Sequence, residues 1–377
     1  MITVIEAKNR KQMKEFVEFP LKLYKDCPYY VPSLYGDELI INNPKKNLSL
    51  GTSEVKCFLA YDNDVVVGRI CAIINHDSNK KNNEKNIRFS RIDMIDDIEV
   101  TKALLNAVIE YGKEKGLDVI EGPWGFNDSD REGMLTFGYD EHSSYATAYS
   151  YPYYVKHMEK LGYEKQSEWV EYRLDRDNTD PRFPKVAEML LKRGYRDVVE
   201  DYKKPSQVVK KYGDKFFNCY NKAYADLDNY VKIEGKAKKQ VLDTFAVLLN
   251  KRYFAVIVND KDDVVAFGVG LPYIGKCLKD ADGKMIKAAL PILRTIKNPK
   301  KVEMALIGVD PEYRNSGAHA IIVAKMIKNQ KEDGIEDIFT DPTLTTNLKM
   351  LNTWQGMGKT IRCKRQTYKK RFKNENL

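Results

Sequence analysis

Apolar residues in this 377-residue chain occur in short runs of two kinds that alternate along it. Dense runs rich in Val, Ile and aromatic residues, at positions 55–61, 65–74, 253–259, 264–271 and 302–309, predict buried strands. Spaced runs predict amphipathic helices at 10–24, 100–115, 184–193, 208–224, 236–249, 286–296 and 320–327. In the second of these Ala103, Leu104, Ala107, Val108 and Tyr111 share a face, and Gly116 stops the helix. Polar turns, Asp62-Asn63-Asp64 and residues 260–263, join two strand pairs into hairpins. After each hairpin come another strand (87–92, 302–309), a helix and a further strand (119–120, 337–340), and residues 169–174 predict a strand closing the first half.

The order thus occurs twice. It predicts an α/β protein with mixed sheets and flanking helices, in two tandem domains, residues 1–175 and 176–377, joined by a charged, Pro-containing linker at 175–184.

Charge separates the halves. The net +9 divides into −6 for residues 1–175, with 23 Lys and Arg against 29 Asp and Glu, and +15 for residues 176–377, with 40 against 25. A polyanionic ligand is therefore expected on the second half. Part of its excess lies in the tail at 359–373, which reads as a solvated charge run. The six cysteines lack a C-x-x-C spacing and there are four histidines, so neither a disulfide framework nor a metal site is expected. No apolar run approaches a membrane span and the N-terminus lacks a signal-peptide core, so a cytoplasmic protein without a membrane partner is expected. No aromatic-basic interleaving marks a nucleic-acid module, and oligomeric state is not legible.

Candidate chemistry centres on Val302 to Ala320. Val302, Met304, Ala305, Leu306, Ile307 and Val309 form an apolar strand interrupted by one carboxylate, Glu303. Asp310-Pro311 ends it, and Arg314, Asn315, Ser316, Gly317, Ala318 and His319 lead into the next helix. Free amides and the dipole at a helix start favour an anion, and Gly317 would admit a phosphate close to the main chain.

The Arg-x-x-Gly spacing after a strand and an Asp-Pro turn resembles the pyrophosphate loop of the GCN5-related N-acetyltransferase (GNAT) superfamily, with His319 where that pattern has Gly or Ala. Asn347, Trp354 and Gly358 keep the spacing of a later GNAT helix, although Trp354 replaces the usual Tyr, whose hydroxyl could protonate a leaving thiolate. Packing is the expected role of Trp354. Gly68-Arg69 and Lys156 to Tyr163 resemble GNAT segments of the first half. There the phosphate-loop position reads Asp93-Met94-Ile95-Asp96-Asp97-Ile98-Glu99, without glycine and with four carboxylates. The first domain is thus expected to be degenerate and the second to bind acetyl-CoA.

The resemblance implies acyl transfer, typically acetyl, from coenzyme A to an amine on a small molecule or peptide. Leu306, Ile307, Gly308 and Val309 would offer backbone groups to the cofactor, residues 314–319 would hold its pyrophosphate, and Asn347 would bond its arm. Glu303 would be the general base, its pKa raised by apolar surroundings; pairing with Lys300 or Lys301 is the alternative. A long connection, residues 121–139, resembles one shared by little-characterised bacterial GNAT-type proteins. Trp124, Phe126 and Tyr139 in it are expected to bind substrate, or else to pack. Two other functions fit the same residues: a tandem aminoacyl or other acyl transferase, and a non-catalytic coenzyme A or ligand binder.

Overall fold

In the computed structural model the chain forms two compact units interleaved along the sequence. One comprises Met1–Val170, Gly275–Ala289 and Cys363–Leu377, the other Glu171–Ile274 and Leu290–Arg362. All residues are described except 128–129, 226–229, 231, 236–237, 240, 243–245 and 373–377. The division expected at residue 175 falls close to the break after Val170, but the chain afterwards returns twice to the first unit. Several residues of the helix expected at 236–249 lie outside those described.

The first unit runs through β1 (Ile2–Glu6), α1 (Arg10–Leu23), α2 (Tyr35–Leu39), β2 (Ser53–Asp62), β3 (Val65–Asn75), α3 (His76–Asn82), β4 (Asn86–Met94), α4 (Ile98–Glu114), β5 (Val119–Gly122), β6 (Met134–Phe137), α5 (Tyr153–Lys160) and most of β7 (Glu164–Arg173). β1 to β4 are antiparallel neighbours, and β5 runs parallel to β4. Burial on both faces explains the continuous apolar reading of β3. Ile70, Ala72 and Ile74 pack with Val100, Leu104 and Val108 of α4, whereas Cys71 and Ile73 pack with Met13, Phe16 and Val17 of α1. The helices start where their caps are: Asn9 and Gln12 form a capping box on α1, and Asp97 accepts from the Glu99 N–H at the start of α4.

Beyond β7 come α6 (Arg182–Lys192), β8 (Arg196–Asp197), α7 (Pro205–Tyr224), β9 (Phe254–Val258), β10 (Val264–Pro272), α8 (Gly275–Asp280), α9 (Met285–Lys297), β11 (Lys301–Val309), α10 (His319–Glu332), β12 (Asp337–Thr340), β13 (Thr343–Leu344), α11 (Leu348–Gln355) and β14 (Thr360–Arg371). In the second unit β8 to β11 are antiparallel neighbours, β12 runs parallel to β11, and Phe339 of β12 pairs with Arg173 at the end of β7. Val208, Tyr212, Phe217 and Tyr220 of α7 pack with Phe254, Val256, Phe267 and Val269 of the sheet. α10 approaches β10 closely enough that a Cβ at Gly268 would stand 2.2 Å from Ile322; only glycine fits there.

The tail is not a solvated charge run. It forms β14, which pairs with β5 and β6 of the first unit over residues 364–371. Buried Cys363, Arg365 and Thr367 alternate with the half-buried Lys364 and Gln366; Tyr368 is then buried as well, and Lys369 and Arg371 are exposed. The Lys-Arg content hid the period of two, because the charged side chains occupy the outward positions and Arg365 is drawn inward by the Ala148 carbonyl. All six cysteines are free.

Candidate active site

The second unit forks at β11. β12 pairs with it in parallel from Lys301 with Asp337 to Met304 with Thr340, and the Asp341 N–H then donates to the Met304 carbonyl at 3.2 Å. The ladder stops there. Across β11, pairing with β10 skips Ala305, since Val269 faces Leu306 and Gly270 faces Met304. A bulge bends a strand and raises its local twist, so β11 changes course just where its parallel neighbour ends. Exposure follows: Val302, Glu303 and Met304 are buried, whereas Ala305, Leu306 and Ile307 are partly open. An extended ligand could lie along this edge and meet backbone donors and acceptors.

Glu303 stands at the fork, 5% exposed, and its Oε1 is buried without a hydrogen-bond partner. Neither nearby lysine holds it, for Lys300 pairs with Glu336 at 3.7 Å and Lys301 with Asp337 at 3.6 Å. Its neighbour is Asp341, whose Oδ1 is equally buried and unpartnered. Burial, and then the charge of Glu303 and a hydrogen bond to it, push the Asp341 carboxyl well above the usual range. A hydrogen bond between two carboxyl groups requires a proton on one of them, and the upward shift favours the protonated form of Asp341. The group that burial visibly perturbs is thus Asp341. Glu171 lies near Asp341 and is held by Arg362 at 2.6 Å, both being almost completely buried. The Arg362 guanidinium also sits 4.3 Å from the Phe339 ring centre.

The turn after β11 is built by its own side chains. Asp310 accepts from the Glu312 N–H and from Lys222. The Ser316 N–H donates to Tyr313, and the Ala318 N–H to Ser316 Oγ. Those bonds use alternate amides, which leaves the amides of Asn315, Gly317 and His319 as the loop's candidates for an anion. Gly317 has φ +82°, and a Cβ there would come within 3.0 Å of Val186 on α6. His319, the first residue of α10, lies edge-on to Phe183 at 6.0 Å, and burial lowers its pKa. It therefore brings no firm positive charge to the loop. The Arg314 guanidinium reaches the Ala223 carbonyl at 3.5 Å. Gly308 packs under the Phe267 ring, and the Ile307 carbonyl accepts from Tyr224.

Asn347 caps α11 by accepting from the Met350 N–H at 3.2 Å. Trp354 is 2% exposed and donates its indole N–H to Thr343. Glu303, residues 306–309, the 314–319 turn and Asn347 all belong to the second unit. Trp124, Phe126 and Tyr139 belong to the first. There Trp124 packs edge-on against Trp169 and donates to Gln166, Phe126 is buried beside Arg91, and Tyr139 donates to the Leu135 carbonyl.

The first unit repeats the fork with different contents. β4 slips register against β3 between Arg69, facing Asp93, and Cys71, facing Ser90, and its pairing with β5 ends at Arg88. Charged groups fill the space: Arg69 bridges Asp93 and Glu38, while Arg91, at φ +49°, bridges Glu38 and Asp130. The four carboxylates of residues 93–99 serve the structure. Asp93 accepts from Arg69 and Tyr24, Asp96 lies 3.2 Å from His157, Asp97 caps α4, and Glu99 pairs with Lys102.

The sequence named Glu303 but not Asp341, Glu171 or Arg362. Asp341-Pro342 repeats the strand-ending Asp310-Pro311, and Glu171 is a lone carboxylate in an apolar run. Both were visible signals. Among the described residues no group of His, Cys, Asp and Glu could hold a metal ion.

No family model matches the chain. It is 24% identical over 371 residues to Protein YghO of Escherichia coli K12, covering 93% of this chain and 90% of the relative. It is 23% identical over 341 residues to the bacterial ceramide synthase of Caulobacter vibrioides, covering 88% and 86%. Among solved structures, a tandem GNAT protein from the clavulanic acid biosynthesis pathway superposes over 98% of both chains with a TM-score of 0.56 and 10% identity. The duplicated forks and this end-to-end match agree, and the chain has the tandem fold of the GCN5-related N-acetyltransferases.

Proposed function

We propose that the second unit transfers an acyl group from a coenzyme A thioester to an amine. The observation that carries this reading is the buried Glu303–Asp341 pair at the point where β11 parts from β12. The opened edge at 305–309 offers backbone groups to an extended pantetheine arm, and the 314–319 turn offers amides to its phosphates. Glu303, beside the Asp341 carboxyl whose raised pKa favours its protonated form, takes a proton from the incoming ammonium. The freed amine attacks the thioester carbonyl, its C–N bond forms, the C–S bond breaks, and the nitrogen's surplus proton passes to the departing sulfur, giving an amide and the free coenzyme thiol. Backbone N–H groups of β11 would stabilise the oxyanion. Trp354, committed to Thr343, takes no part in proton transfer.

The relative named bacterial ceramide synthase supports an amine acceptor, since a ceramide is an N-acylated long-chain amino alcohol. The transferred acyl group, acetyl or longer, and the acceptor class are tested together. Purified full-length protein would be incubated with acetyl-CoA or a long-chain acyl-CoA and with small, peptide and long-chain amines. An amide product formed in step with free thiol is expected. Coenzyme A binding with no product from any pair would leave a binding protein instead, the reading that the buried Trp354 favours.

A further inference from the structure

Helix α9 (Met285–Lys297) turns its apolar side outward. Ala288 and Ile292, one turn apart, are its buried residues, at 0% and 2% exposure. Ile286, Leu290 and Leu293 lie on the opposite side and are 97%, 58% and 56% exposed. Their spacing of four and three residues makes one continuous ridge, with Met285 at its near end. Scattered apolar residues on a surface need no explanation, but a contiguous ridge does.

Along the stretch of chain that carries the ridge the charges have one sign. From Gly283 to Val302 there are six Lys and Arg and no Asp or Glu. Three of the cations face carboxylates elsewhere: Lys284 faces Asp282, Lys300 faces Glu336 and Lys301 faces Asp337. The other three, Lys287, Arg294 and Lys297, are exposed and make no ion pair among the described residues. Lys287 and Arg294 flank the ridge along one side, and Lys297 continues it. No helix among the described residues is long and apolar enough to cross a membrane, but a helix lying on a bilayer needs neither that length nor that hydropathy.

We propose that α9 is a docking helix for an anionic bilayer surface. Ile286, Leu290 and Leu293 enter the acyl-chain boundary, and Lys287, Arg294 and Lys297 meet headgroup phosphates. The charge pattern selects this occupant. A second copy docking by the same face would bring two sets of unpaired cations together, and a nucleic acid would leave the Ile-Leu ridge in water. The inference stands on the helix alone and is independent of the acyl-transfer reading.

The test is co-sedimentation of the full-length protein with phosphatidylcholine vesicles, with or without one-quarter phosphatidylglycerol. At least about tenfold tighter binding to the anionic vesicles, weakened by salt, is expected. The triple variants Ile286→Ser/Leu290→Ser/Leu293→Ser and Lys287→Glu/Arg294→Glu/Lys297→Glu should each lose at least about tenfold of that binding. Their circular dichroism and melting midpoints should match wild type, because the altered side chains are exposed. Absence of binding, equal binding to both vesicles, or wild-type binding by either variant would overturn the proposal. So would a dimer that the serine variant dissolves and that ignores vesicles.

Discussion

The backbone N–H of Asp341 donates to the Met304 carbonyl at 3.2 Å, and this last bond of the parallel ladder brings the Asp341 carboxyl beside that of Glu303. The raised pKa of Asp341 is therefore set by the register of two strands.

Replacing Glu303 by Gln keeps the shape and removes the base. Turnover should fall by about 10²–10⁴ with coenzyme A affinity nearly unchanged. Steady-state rates together with calorimetric binding check this; unchanged turnover would remove Glu303 from the chemistry.

Asp341 makes a stability prediction of definite sign. Its carboxyl is raised in the folded state, so the native protein binds more protons than the unfolded chain above the ordinary aspartate pKa of about 4. That contribution is complete below about pH 4 and is lost as pH rises through the folded value. Asp341→Asn, which resembles the protonated acid, should melt near wild type at acid pH and above it at alkaline pH. Melting midpoints that fall in parallel for both proteins would contradict the raised Asp341 pKa.

At the turn, Gly317→Glu places a carboxylate at the candidate phosphate site, and its Cβ would lie 3.0 Å from Val186 at a φ of +82°. Binding of coenzyme A should disappear. Asp96→Asn with Asp97→Asn, in the first unit, should change affinity little, since Asn can still cap α4. Calorimetry on both variants decides which unit holds the ligand, and a large loss in the second would move the site.

Arg362→Met should be severe. It strands Glu171, 1% exposed, and removal of one partner from a buried pair costs about 3–5 kcal/mol. Adding Glu171→Gln should restore much of that in denaturant unfolding. Trp354→Phe, by contrast, should lose only about 1 kcal/mol for the bond to Thr343 and leave turnover within about twofold. A collapse of turnover in the Phe variant would give the indole a role beyond packing.

The sequence carried the elements whose period was unmixed. β3 and β10 were legible because both faces are buried, and α4 because its apolar stripe is bounded by Asp97 and Gly116. β14 was not, since its many Lys and Arg masked the alternation of buried Cys363, Arg365 and Thr367 with half-buried Lys364 and Gln366. The fork itself left no local signal: the bulge at Ala305 depends on pairing with β10, and the meeting of Glu303 with Asp341 on pairing with β12. Single residues announced themselves, but their partnership is a property of the register. Trp124 and Phe126 stood out as a loop motif, yet their rings pack within the first unit, against Trp169 and near Arg91.

The return of β14 to the first unit affects how the protein is made. Residues 364–371 pair with β5 and β6, more than two hundred positions earlier, so on the ribosome the first unit waits for its closing strand until those residues have been made. Until then, β5 keeps an open edge, the kind of surface that recruits other chains. A fragment ending at residue 175 would be frozen in that unfinished state, and deletion of residues 364–371 should harm the unit that begins the chain.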